Sequence, residues 1–205
     1  GFLLGFATPI MTAWLGPAED LQITAFIMAW FTLPFQIHVT TGPCSAFHRG
    51  TGHPQRELFY PFAQMALVVL LVGGAFLVMG TTIPAITIGV ATAMVLSGGA
   101  YMLYTNRLLG IAAGHYLWRV LLPGLAPYAI GLGLAWLARP WLAVAGTERW
   151  PLLGVLTVCG ILYAVIAGAL LYWALCDWGE REYLRRQLQH TLSGLLGKAT
   201  KGAPS

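Results

Sequence analysis

The sequence predicts an all-α fold, a polytopic membrane helix bundle of about six transmembrane helices, on three observations. Of its 205 residues 58% are hydrophobic and 9% charged, where an ordinary soluble domain has about a quarter charged. Apolar runs of about 20 residues, enough for a helix to cross roughly 30 Å of hydrocarbon, recur along the chain. These runs do not alternate apolar with polar residues as barrel strands do, and in lipid each must satisfy its own backbone N–H and C=O groups, which a helix does. Eleven basic and seven acidic residues cannot supply the polar surface a soluble domain of this size needs.

The elements follow in order. Residues 1–15 form a first apolar run, short for a span, before Pro17. Residues 21–41 form the second, which Gly42 and Pro43 close as a turn. Residues 60–80 and 83–105 are the third and fourth, with Pro84 just inside the fourth, where a missing N–H costs little. Residues 120–138 are the fifth, and 151–176, opened by Pro151, the last. The chain starts Gly1-Phe2-Leu3-Leu4, with no initiator Met and no charged n-region. It reads as the C-terminal part of a longer protein, with residues 1–176 a transmembrane helical lobe and 177–205 a partly helical cytoplasmic tail.

Charge placement sets the orientation. Arg49 and Arg56 lie between the second and third runs, Arg107 and Arg119 between the fourth and fifth, and Arg181, Arg185, Arg186, Lys198 and Lys201 follow the last. These alternate connections share one face, and nine of the eleven basic residues fall there. The positive-inside rule makes that face, and the C-terminus, cytoplasmic. The net charge of +4 and pI near 9.2 are therefore topology signals, and no nucleic-acid partner is expected. Trp14, Trp118, Trp136, Trp141, Trp150 and Trp178 stand near run ends, as interfacial anchors do. In the tail, Leu184, Leu188, Leu192 and Leu195 recur at helical spacing, which suits a short helix on the inner leaflet or a solvated tail.

Cys44, Cys159 and Cys176 are scattered, without CxxC or Cys/His spacing, so no metal centre or other cofactor is expected. No Asp, Glu, Lys or Arg falls mid-span, the usual position of a coupling residue. The most polar run is the second. Gln36 and Thr40 stand one turn apart on a shared face, and His38 points about 160° away. Gln36, His38 and Thr40 are candidates for lining a hydrated path, or for hydrogen bonds to neighbouring helices. Gln64, one turn into the third run, is a candidate of the same kind. The connection from Thr41 to Leu58 holds Gly, Pro, His and Arg, and Arg49 and Arg56 could meet a phosphate there. Glu57 is its one carboxylate and no nucleophile is activated, so an enzyme is not expected.

A helix ending near Leu15-Gly16-Pro17, a polar-interrupted span, Thr41-Gly42-Pro43, then His48-Arg49-Gly50-Thr51-Gly52-His53-Pro54 and Glu57-Leu58 before another span resemble the C-terminal half of the polysaccharide-biosynthesis flippases. These exporters of O-antigen and other lipid-linked oligosaccharides share a superfamily with the multidrug extruders. Family members show a similar Thr-Gly-Pro turn, a small-residue run, an Arg-Gly and a Gly-Xaa-Pro before the next helix; His53 stands where an Arg is common. The resemblance implies a missing N-terminal lobe and a lipid-linked glycan carried across the cytoplasmic (inner) membrane by alternating access, with membrane lipids as surroundings. Arg49, Arg56, Arg107 and Arg119 would meet the head group on the loading side. The alternatives are a multidrug extruder of the same superfamily, a membrane-embedded glycosyl- or acyltransferase, and an assembly subunit.

Overall fold

The computed structural model describes residues 1–16, 18, 20–175, 179, 181–183 and 187. The interfacial helix expected around Leu184, Leu188, Leu192 and Leu195, and the anchor at Trp178, lie outside the described residues, as does most of the tail. Within the described residues the fold is all-α, with no strand. Two short helices come first, α1 (Phe2–Gly5) and α2 (Ala7–Leu15). They are followed by α3 (Leu21–Thr40), α4 (Gly42–Gly50), a 3-10 turn (Pro54–Arg56), α5 (Phe59–Met79) and α6 (Ile83–Leu108). The chain then forms α7 (Ala113–Tyr116), a π-helical turn (Leu117–Leu121), α8 (Leu122–Ala145) and α9 (Arg149–Leu175).

Five helical stretches, those containing α3, α5, α6, α8 and α9, are long and apolar enough to cross a membrane. They are the five full runs of the sequence, and the bundle is that of a multi-pass membrane protein. The first run is the exception to the expected six, because α1 and α2 break at Phe6 and neither reaches spanning length.

Three further differences have local causes. Gly42 and Pro43 do not make a turn. Thr41 keeps helical dihedrals (φ −75°, ψ −16°) and Pro43 sits in the first turn of α4, where its absent N–H leaves no internal bond unmade. The stretch read as a loop is thus largely helical. The fourth run extends to Leu108, placing Arg107 in its last helical turn. The fifth extends to Ala145, so Arg139, expected in a connection, lies inside α8 with Pro140.

Two groups of helices make up the bundle. In one, α6 packs against α3 and α5; in the other, α8 packs against α1 and α9, while α2 touches α3 and α9. The second group has a small apolar core of Phe6, Ala13, Ala138, Ala145, Leu152, Leu156 and Cys159. Helix α6 is the most enclosed, through a small-residue surface that includes Gly89, Ala91, Ala93, Ser97 and Gly98. Small residues let helix backbones approach closely where lipid provides no hydrophobic drive for association. Hydroxyls along the spans turn back on their own helices, as Thr32 does to the Met28 carbonyl (2.9 Å) and Thr87 to the Ile83 carbonyl (2.9 Å), which satisfies them without a partner helix. Helix α5 buries no residue, and Phe62, Met65, Val69, Leu70, Leu77 and Val78 face outward, as suits a helix against hydrocarbon.

Helices α5 and α6 join through a tight turn. Gly80 takes φ +71°, a left-handed conformation natural to glycine at a helix end. Two residues on, the Thr82 hydroxyl accepts from the Ala85 N–H (3.3 Å) and caps α6. Thr82→Ala is expected to lower stability in detergent by about 1 kcal/mol, the usual worth of an N-cap; Thr82→Ser should restore it. Equal unfolding of all three forms would show the cap to be idle.

Candidate functional site: the basic, aromatic end of the bundle

Helix directions bring the end of α3, all of α4, the start of α5, the end of α6 and the start of α8 to one end of the bundle. Arg49, Arg56, Arg107 and Arg119 therefore share that end, as the charge pattern predicts. Arg49 is 68% exposed and grips Glu57 with two hydrogen bonds of 2.7 Å, from Nε and Nη2 to the two carboxylate oxygens. This parallel fork is the geometry in which Arg binds a carboxylate best. It also neutralises Arg49 locally. Arg56 is half-buried on the 3-10 turn, Arg107 and Arg119 are exposed, and among the described residues none of these three is in an ion pair.

Rings tie α4, α5 and α6 together beneath these charges. His38 Nδ1 lies 3.1 Å from the Tyr60 hydroxyl. Tyr60 stacks on Tyr101, with centroids 5.3 Å apart, and Tyr101 in turn lies against His48 at 5.7 Å, with Tyr104 stacked on the imidazole at 6.1 Å. His48 is wholly buried and its Nε2 sits 3.0 Å from the Thr105 hydroxyl. That hydroxyl donates to the Tyr101 carbonyl at 3.0 Å. With its single proton used there, the network assigns His48 the Nε2–H tautomer, which donates in the pair. Cys44, half-buried one turn earlier on α4, also stands beside Thr105.

The polar residues of α3 have separate partners. Gln36 donates to the Gly124 carbonyl of α8 (3.4 Å), and one turn away the Tyr128 hydroxyl of α8 returns a hydrogen bond to the Thr32 carbonyl (3.4 Å). Thr40 bonds its own Ile37 carbonyl (2.8 Å) and reaches Met102 Sδ (3.4 Å). Gln36, His38 and Thr40 thus address α8, α5 and α6 in turn, and do not meet. Gln64 is half-buried on α5 and makes no side-chain hydrogen bond with another described residue. Between the two helix groups, next to the Gln36–Gly124 bridge, lies a crevice of about 540 Å3, lined by Leu4, Trp30, Leu33, Val95, Leu125 and Tyr128 among others. Its walls are almost wholly apolar, so it suits a hydrocarbon chain better than a sugar.

His48 is the residue that sequence reasoning passed over. It stands in the same motif as Arg49, yet its burial depends on α4 being a helix, and its contacts lie 57 positions away in sequence. Among the described residues, no group of three or more His, Cys, Asp or Glu could hold a metal ion.

Fold and site together define a multi-pass, all-α membrane protein with a basic, ring-lined end. No protein-family model matches the chain, and no curated protein or solved structure matches it either.

Proposed function

We propose that the chain is one lobe of a flippase that carries a lipid-linked oligosaccharide or polysaccharide precursor across the cytoplasmic membrane by alternating access. The observation that carries this reading is the gathering of Arg56, Arg107 and Arg119, in no ion pair among the described residues, at one end of a five-span bundle. That end also holds the Thr41-Gly42-Pro43 to Glu57-Leu58 stretch on which the family resemblance rests. A polar head group cannot cross hydrocarbon unshielded, and basic residues at the mouth of a path between helix groups would attract its phosphate. On this reading the basic end and the C-terminus are cytoplasmic, following the positive-inside rule. A second lobe of the same chain faces this one, and the protein performs no covalent chemistry.

The complete protein, reconstituted in vesicles, tests the proposal. A lipid-linked oligosaccharide placed on one leaflet should become accessible to a glycosidase on the other at several times the rate in protein-free vesicles. Accessibility no faster than in those vesicles, with the protein folded and inserted, overturns the flippase reading. Export of a cationic dye by the same vesicles in place of the glycan would favour a drug extruder.

A further inference from the structure

His48 is buried in a site built for its neutral form. With Nε2–H given to Thr105, its Nδ1 is an acceptor, and that atom is buried without a hydrogen-bond partner. A proton added there would place a charged donor among rings and amides with nothing to receive it. The groups around the imidazole are Cys44, Phe47 and Arg49 on α4, His53, Arg56 and Glu57 in the connection, and Tyr101, Tyr104 and Thr105 on α6, with Tyr60 of α5 behind Tyr101. Glu57 is the one carboxylate in that set, and Arg49 already holds both its oxygens. Its charge favours an imidazolium, but burial, and after it the charges of Arg56 and His53, weigh more heavily against one.

We propose that His48 is a proton-binding site that controls the docking of α4 on α6: neutral, it locks α4 down through Thr105; protonated, it releases α4 together with Arg49. Burial of an unpaired charge is costly, whereas an imidazolium in water is not. The undocked form therefore takes up the proton and the docked form excludes it. Docking strengthens as pH rises and weakens as pH falls below the ordinary histidine range near about 6.5. Since α4 joins the α3 span to the Arg56 turn, its release would rearrange the basic end. The inference stands independently of the transported molecule.

Cys44 reports on it, because it lies one turn from His48 on the face of α4 that meets Thr105. In the complete protein with every other cysteine replaced by Ser, Cys159 and Cys176 among them, Cys44 is the only thiol left. Its rate of reaction with a pyridyl disulfide, which also reacts in acid, is measured in detergent at about pH 7.5 and about pH 5. Each rate is divided by that of the unfolded chain at the same pH. The normalised rate should rise about tenfold in acid. His48→Gln keeps a neutral donor for Thr105 and should react slowly at both values; His48→Phe, which fills the space with an uncharged ring, serves where the Gln variant does not fold. His53→Gln and His38→Gln should keep the acid response. A parent rate indifferent to pH, or an acid response that survives in both folded His48 variants, overturns the proposal.

Discussion

Gly89→Leu is expected to cost about 3 kcal/mol of stability, a large effect for a single change, measured by unfolding in detergent. The reason is what a Cβ would meet. Built on Gly89, it would lie 2.8 Å from Val72 Cγ2 and 2.9 Å from the Val72 Cα and N. A side-chain methyl can rotate away, but a backbone cannot, so α5 and α6 would have to part. Helix α5 buries no residue and leans chiefly on α6, so separation would remove most of its protein contact. Gly99→Leu is the control, since a Cβ there meets nothing within 4 Å on the same helix. Equal losses from the two substitutions would show that general helix perturbation, and not the Gly89–Val72 approach, sets the cost.

That close approach was not legible in the sequence, although the helices that make it were. Spans are announced by local composition, because hydrocarbon imposes one length and one polarity on each. The five full runs accordingly recur in the structure to within a few residues at most ends. Misreadings arose where a local signal has two outcomes. Gly42-Pro43 is as compatible with the first turn of a helix as with a reverse turn, and Arg139-Pro140 can continue α8 because its helical neighbours support it. Which partner a polar side chain takes was out of reach for another reason. Gln36 bonds a carbonyl 88 positions away and His48 a hydroxyl 57 positions away, and no periodicity encodes that pairing. The sequence placed the four arginines at one end correctly, since alternate connections must share a face. It could not show that Glu57 occupies Arg49 while Arg56, Arg107 and Arg119 have no carboxylate partner among the described residues.

This difference among the arginines leads to the second large effect. On the flippase reading, replacing Arg56, Arg107 and Arg119 together by Ala in the complete protein should cut glycan transfer about 100-fold, since charge-assisted contacts to phosphate are among the stronger polar contacts a site can make. Arg49→Ala alone should have a small effect on transfer, because its guanidinium already serves Glu57. Loss of three positive charges could also disturb insertion, so the triple Lys variant is the decisive comparison. Lysine preserves the charge that orients the helices but lacks the planar fork that grips phosphate at two points. Normal insertion with transfer intermediate between the parent and the Ala variant would identify the three arginines as head-group contacts. Full transfer by the Lys variant would reduce them to a diffuse positive field, and full transfer by a correctly inserted Ala variant would leave them as topology signals only.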